Sequence, residues 1–220
     1  MKVVLLSYTK NADEICAAAG RSCYSGKPAD EIIGKGDARS TLSSIVGMGH
    51  HSVIEHATFT FSVSGVSRTL THQLVRHRIA SFSQQSQRYV SLDQPTYVVP
   101  HTIAEDPEAL DIYKKMMEQI WNTYSELSEK VPIEDARYIL PNGCTTNITI
   151  TMNARELLHF FSLRCCERAQ WEIREMAEEM LRLCREVSPT IFKVAGPPCV
   201  TGPCPEGEKS CGQPKTIKKH

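Results

Sequence analysis

Apolar and polar residues alternate in two segments of the chain, and this period predicts strands with one buried face. Residues 57–63 place phenylalanine and valine on one face and threonine or serine on the other. Residues 147–152 repeat the alternation with isoleucine and methionine. A short apolar run at residues 3–6 predicts another, more fully buried strand.

Apolar residues that recur every three or four positions predict helices. The clearest helix covers residues 110–127, and a second covers about 67–78, where Ser67 can cap the first turn. A third helical region runs over residues 153–187, with a break near 164–168. The order of strands and helices indicates the α+β class, with a mixed, largely antiparallel sheet flanked by long helices.

The composition is that of an ordinary globular domain. Of 220 residues, 41% are apolar and 23% are charged, which excludes an intrinsically disordered chain. Lys+Arg and Asp+Glu are 25 each, so the basic excess of a nonspecific nucleic-acid binder is missing. No apolar run reaches the roughly 20 residues of a membrane span. The nine scattered cysteines, without an export signal, favour reduced thiols and a cytoplasmic protein.

The end of the chain differs in composition from the rest. Proline, glycine and lysine are frequent there, so we expect one domain over residues 1–195 and a Pro/Gly/Cys-containing tail over 196–220. His220 could complete a metal site with the tail cysteines, but their spacing does not match the Cys-x2-Cys pairs of zinc sites. A flexible tail with unligated thiols is therefore expected. The three cysteines are Cys199, Cys204 and Cys211.

One segment concentrates positive charge. Residues 76–88 hold three arginines, one histidine and three serines, and no acidic residue occurs in residues 57–91. Arginine grips phosphate through paired, charge-assisted hydrogen bonds, and serine adds a neutral donor. If the helix continues to residue 78, Gln73, Arg76 and His77 share one face, and in an extended stretch Ser86 and Arg88 point the same way. A phosphate-bearing ligand is predicted; the alternative is a solvated helix end.

The same segment resembles the signature of a known family. Residues 76–78 read Arg-His-Arg, and after seven residues Ser-Gln-Arg follows at 86–88, as in the flavin-dependent thymidylate synthases. Together with this signature, three further elements occur in the family's order and extend the resemblance over roughly residues 45–175. These are a glycine-histidine loop at 49–56, an Arg-x-x-Leu-Pro element at 134–141, and helical motifs at 152–155 and 163–173.

The resemblance implies a specific reaction and assembly. Such enzymes convert dUMP to dTMP, take the one-carbon unit from methylenetetrahydrofolate, and obtain the hydride from NADPH through FAD, releasing tetrahydrofolate. It also implies a homotetramer with sites at subunit interfaces. Arg164 would lie beside the uracil ring and stabilise the negative charge that develops there, and His50 would lie beside flavin and folate. No metal is implied.

The resemblance also assigns ligands residue by residue. The implied dUMP ligands are Gln73, Arg76, Gln84, Gln85, Ser86, Gln87, Arg88, Arg137 and Arg164. The implied FAD ligands are Ser52, Arg76, His77, Arg78, Gln84, Asn153, Arg155 and His159. The chain departs from the family at Ser83 and Gln84, where asparagine and glutamate are usual, and at His159, where many relatives have asparagine.

Two other functions fit the basic segment. An RNA-binding module could stack bases on Phe82 and Tyr89, although the zero net charge counts against it. The second function is that of a different phosphate-handling enzyme that does not use flavin. A metal on the histidines of residues 50–56 is not expected, because the His-Glu-x-x-His spacing of zinc enzymes is absent.

Overall fold

A single sheet organises the chain, whose computed structural model describes residues 1–213. Its strands are β1 (Lys2–Tyr8), β2 (Thr58–Ser67), β3 (Ala80–Gln84) and β4 (Thr145–Asn153). They lie in the order β1-β2-β4-β3 and form an antiparallel sheet. The α+β class is confirmed, and the sheet that was predicted to be mixed is antiparallel. His220 and the rest of residues 214–220 lie outside the described residues.

Helices fill most of the chain between and after the strands. They are α1 (Ala12–Ser22), α2 (Ala29–Ile32), α3 (Ala38–Gly47), α4 (Arg68–Leu74), α5 (His101–Ala104), α6 (Pro107–Ser128), α7 (Ile133–Ala136), α8 (Ala154–Arg164) and α9 (Trp171–Val187). Short 3-10 helices cover His51–His56, Arg137–Ile139, Pro198–Val200 and Gly207–Lys209. Among the described residues, no helix combines the length and the apolar character needed to cross a bilayer.

The described residues form two compact units. The first unit comprises Met1–Lys2, Val63–Arg76 and Phe82–Thr149. The second unit comprises Val3–Ser62, His77–Ser81 and the described residues from Ile150 onward. Strands β2 and β4 each contribute residues to both units. The predicted binding residues are also divided between the two units.

The predictions of β2, β4 and the two helix caps from residue patterns are confirmed, whereas β1, which was predicted to be buried, has Val4 and Leu6 exposed. Phe59 and Phe61 of β2 are fully buried, as are Ile150 and Met152 of β4, which is the one-sided burial that the alternation predicts. Ser67 and Asn153 accept hydrogen bonds from the backbone N–H groups at the starts of α4 and α8. The predicted break after residue 164 separates α8 from α9.

The predicted helix over residues 67–78 is too long. α4 ends at Leu74, and the chain enters strand β3 at Ala80. Gln73, Arg76 and His77 therefore do not share a helix face. The reason lies in the tertiary structure. His77 is buried in the second unit, and directly after β3 the backbone N–H of Gln85 donates to the carbonyl of Asn147 in β4. Local periodicity carries no information about either contact.

The first unit has its own aromatic core under α6. Met117 and Trp121 of α6 are buried together with Cys144. The indole N–H of Trp121 donates to Leu92 O at 3.2 Å, and the Tyr113 hydroxyl donates to Val98 O at 2.9 Å. These bonds tie the long connection after β3 to α6.

Candidate active site

Three residues of the second unit, Glu156, His77 and Arg164, form a chain of hydrogen bonds, the relay. The His77 ring is buried, and its Nδ1 lies 2.9 Å from Oε1 of Glu156, which is also buried. Arg164 Nε donates to His77 Nε2 at 3.2 Å. Because arginine Nε always carries its proton, His77 Nε2 must accept, and the ring proton must be on Nδ1, which donates to Glu156. The relay therefore selects one neutral tautomer of His77.

The environment of His77 keeps the ring neutral. Burial lowers the pKa of His77, and the charge of Arg164 lowers it further, whereas the hydrogen bond to Glu156 raises it; the net pKa lies below the ordinary value. Phe160 packs edge-on against the ring, with centroids 5.0 Å apart. A neutral His77 can accept from Arg164 at physiological pH, so the relay fixes the position of a guanidinium cation.

Two residues of the relay, together with His159, form a group with the side-chain types of a metal site. The ligand atoms of His77, Glu156 and His159 lie within 4.8 Å of one another. Both ring nitrogens of His77 are engaged in the hydrogen bonds to Glu156 and Arg164. A nitrogen that donates or accepts in this way has no lone pair to give to a metal, so His77 does not serve as a ligand while the relay is intact.

Exposed basic side chains on α8 and beside His77 could bind an anionic cofactor. Arg155 and His159 are exposed and stand four residues apart on α8, so they share one helix face. Arg155 Nη1 lies 2.5 Å from Glu55 Oε1, and Arg78 is also exposed. Asn153, by contrast, uses its side-chain oxygen to cap α8.

The glycine-histidine loop ends α3 and leaves two predicted residues accessible. Gly49 has φ +80°, a left-handed conformation that favours glycine, and it follows the last turn of α3. His50 and Ser52 are exposed, whereas Ile54 is fully buried and anchors the loop. Both polar side chains are thus available to a ligand.

Two arginines of the first unit meet at one glutamate. Arg88 Nε lies 2.8 Å from Glu134 Oε2, and Arg137 Nε donates to the Glu134 carbonyl at 3.0 Å. The hydrogen bond that Arg88 donates to Glu134 raises the pKa of Arg88, which is in any case always charged. The Arg88 guanidinium also lies 5.3 Å from the centre of the Tyr89 ring. Two guanidinium groups are thus held at one residue, Glu134.

The Ser86–Arg88 segment forms a turn and is not extended as predicted. Arg88 N donates to Ser86 Oγ at 3.1 Å, and Val90 N donates to Ser86 O at 3.1 Å. These local hydrogen bonds outcompete an extended strand. The turn still leaves Arg88 exposed.

The glutamine side chains of the segment bond within the first unit. Gln84 Nε2 donates to Thr71 Oγ1 at 3.1 Å and to Thr146 Oγ1 at 3.3 Å. Gln85 Oε1 accepts from the Asn147 side chain at 3.1 Å. Two further glutamine amides also form hydrogen bonds. Gln87 Nε2 donates to Cys144 Sγ at 3.2 Å, and Gln73 Nε2 donates to Thr69 O at 3.5 Å. These contacts orient the amides before any ligand is present.

One residue that matters in this geometry was missed from the sequence. Glu156 was not a candidate, although it follows the cap residue Asn153 by three positions, where a capping box places its acid. That pattern indicates a helix start and would not have paired Glu156 with His77, which lies 79 positions earlier.

Known proteins are similar to this chain over most of its length. Residues 4–190 match the family described as "Thymidylate synthase complementing protein". The flavin-dependent thymidylate synthase of Geobacter sulfurreducens is 49% identical, over 100% of this chain and 97% of its own length. The enzyme of the same name from Pyrococcus furiosus is 47% identical, over 94% and 90%.

A solved structure shows the same fold. It is the UMP/dUMP methylase PolB from Streptomyces cacaoi bound with 5-Br dUMP, with a TM-score of 0.79 over 87% of this chain and 93% of that chain. At 24% sequence identity this likeness concerns the fold.

Proposed function

Because this chain belongs to the flavin-dependent thymidylate synthase family and is such an enzyme, we propose that it methylates dUMP to dTMP with a methylene group from methylenetetrahydrofolate. We further propose that NADPH supplies the hydride through FAD and that tetrahydrofolate is released. The observation that carries the proposal is the relay: a half-buried arginine held in place by a neutral histidine is suited to a substrate that gains negative charge during reaction.

Arg164 is the proposed catalytic cation. Adding a carbon substituent to the uracil ring requires electron density to build up on that ring. A guanidinium that is already in place stabilises this charge without reorganising at the moment of reaction. His77 and Glu156 hold Arg164 by hydrogen bonds at 3.2 and 2.9 Å and are positioning residues in this scheme.

The arginine pair of the first unit is the proposed phosphate site. Arg88 and Arg137 present two guanidinium groups, and the bridge to Glu134 is exposed, so exchanging it for a phosphate costs little. Charge-assisted bonds to a doubly charged phosphate are stronger than those to one carboxylate. Six further ligands are proposed for dUMP. They are Gln73, Arg76, Gln84, Gln85, Ser86 and Gln87.

The residues present fit an anionic flavin cofactor. FAD carries a pyrophosphate, and Arg78, Arg155 and His159 are exposed groups that can bond to it. Bound FAD would supply the hydride chemistry, while this chain binds and orients it. We propose that His50 lies beside flavin and folate and orients them. The remaining proposed FAD ligands are Ser52, Arg76, Gln84 and Asn153. The resemblance also implied His77, but its ring is buried with both nitrogens bonded, so its proposed role is to position Arg164.

We also propose a homotetramer in the cytoplasm, with the sites assembled at subunit interfaces. A reaction that must bring nucleotide, flavin and folate together is largely a proximity problem. Several subunits can surround three ligands more completely than one chain of 220 residues.

Tritium release from carbon 5 of labelled dUMP tests the proposal. Release is expected only when methylenetetrahydrofolate, NADPH and FAD are all present, and omitting any one should abolish it. Labelled dCMP, which carries the same phosphate, is the control substrate and should release nothing. FAD-independent release, or none despite proven binding of dUMP and FAD, would refute the proposed reaction. Replacing NADPH by NADH tests the reductant separately.

Replacing Arg88 by alanine should weaken dUMP binding about 10- to 100-fold, the range for losing a charge-assisted hydrogen bond. The fold should survive, because Arg88 is exposed. Titration calorimetry with dUMP and with deoxyuridine checks this, since only the former has a phosphate. The matched control is Arg182→Ala, which removes an exposed arginine paired with Glu179 and Glu186 on α9. Equal weakening of deoxyuridine would contradict the phosphate assignment.

A further inference from the structure

Four cysteines line one small cavity in the second unit. The cavity has a volume of about 20 Å³, close to the space of a single water molecule. One cysteine follows α8, and the other three come from the C-terminal segment. These are Cys166, Cys199, Cys204 and Cys211. We propose that they bind one zinc ion as a tetrathiolate site that holds the C-terminal segment on the second unit.

The size and the chemistry of the cavity both favour a single soft cation. A space of about 20 Å³ is too small for an organic ligand but large enough for one ion. Four thiolates are a standard donor set for structural zinc, which prefers tetrahedral sulfur coordination. The structure holds all nine cysteines without disulfides, so the four sulfurs are available as ligands. As four Zn–S bonds form, four thiol protons pass to solvent.

The charged side chains that line the cavity are engaged in ion pairs. Arg168 and Glu206 both line the cavity and form an ion pair with each other. Glu167, also in the lining, is paired with Arg174 at 2.7 Å. The pair between Arg168 and Glu206 also brings the C-terminal segment back to the loop after α8, which is where Cys166 stands.

The C-terminal segment lacks an apolar core of its own. Cys199 and Ala195 are buried, but residues 201–213 are exposed apart from the half-buried Cys204. Cys199 lies in the short 3-10 helix Pro198–Val200, and a second one, Gly207–Lys209, lies between Cys204 and Cys211. A segment with so little apolar burial gains stability when a metal crosslinks it, since metal binding contributes directly to folding.

Binding requires the segment to close around the ion. No three of the four sulfurs lie within 4.8 Å of one another, whereas Zn–S bonds of about 2.3 Å demand closer approach. Cys211 is exposed and Cys204 half-buried, so the part of the chain that must move is the part with the fewest contacts. This closure is independent of the reaction proposed for dUMP.

Metal analysis of the full chain, purified without chelators or affinity metals, tests the proposal. Elemental mass spectrometry should find about one zinc per chain, and X-ray absorption should find a shell of four sulfurs. The double variant Cys204→Ser/Cys211→Ser should lose the zinc. Cys23→Ser, which removes an exposed cysteine outside the cavity, should keep it. A mercurial thiol reagent should release the zinc of the unmodified chain, so the result does not depend on the variants folding.

Four outcomes would overturn the proposal. The first is a chain that binds no zinc even after reconstitution with zinc under reducing conditions. The second is zinc retained in full by the double variant, and the third is iron with sulfide in place of zinc. The fourth is a disulfide between two of these cysteines in the protein isolated with rapid alkylation. Measuring FAD content and dUMP binding on the same samples separates this result from the proposed function.

Discussion

Replacing Arg164 by alanine should slow dTMP formation about 100- to 1,000-fold, the effect of removing one preorganised donor from developing charge. It is the largest catalytic effect expected from a single substitution in this chain. Arg164 is half-buried and fixed by His77, so no water can take its place with the same orientation. The loss should appear in kcat, because the developing charge exists only in the transition state.

Arg164→Lys separates charge from position. Lysine keeps the positive charge but lacks the Nε that donates to His77. If catalysis requires the position that His77 gives to Arg164, Arg164→Lys should recover only a small part of the activity that Arg164→Ala loses. Arg182→Ala on α9 should leave kcat unchanged. The measurement is single-turnover formation of dTMP at saturating dUMP. A variant at Arg164 with normal kcat would remove this residue from the reacting site and leave the relay a structural feature.

Replacing Phe192 by alanine should lower the free energy of unfolding by about 3–5 kcal/mol, the range for deleting a buried aromatic ring. The ring is fully buried and packs edge-on against Phe59 and Phe161, with centroids 5.3 and 5.9 Å away. The cavity left behind cannot be filled by small movements, because two of its walls are themselves rigid rings. This would be the largest expected stability effect of one substitution.

Urea unfolding of the second unit's core, followed by circular dichroism, measures this loss. The control is Val194→Ala two positions away, which is 44% exposed and should change stability by less than about 0.5 kcal/mol. A loss below about 1 kcal/mol at Phe192 would show that the segment after α9 contributes little to the core. The expected loss would place residues up to Phe192 within the folded domain, as the predicted boundary at 195 requires.

The hydrogen bonds among Glu156, His77 and Arg164 show how tertiary contacts decide a candidate site. The family resemblance predicted Arg164 and His77 as site residues. It did not predict the hydrogen bond between them, which joins residues 87 positions apart. Glu156 was absent from every prediction, because an acid near a helix start has an ordinary role as part of a cap. Only the folded structure shows that the Glu156 carboxylate accepts a hydrogen bond from His77 Nδ1, which leaves His77 Nε2 as the acceptor for Arg164.

Strand β3 was missed for a related reason. Residues 80–84 read Ala-Ser-Phe-Ser-Gln, too short and too polar to stand out as a strand. Strand formation there depends on pairing with β4, a segment more than sixty positions later. Without that partner, the preceding helical periodicity extends past Leu74 and predicts a helix that the structure does not contain.

The sequence by itself determined the features that depend on neighbouring residues. Alternation placed β2 and β4, the three- and four-residue spacing placed α6, and Ser67 and Asn153 were identified as caps, because each signal lies within a few positions. The concentration of arginine in residues 76–88 likewise indicated an anion site. The tertiary structure alone decided that β3 forms an edge strand, which tautomer His77 adopts and that four cysteines line one cavity. Each of these features depends on groups far apart in the chain that only packing brings together.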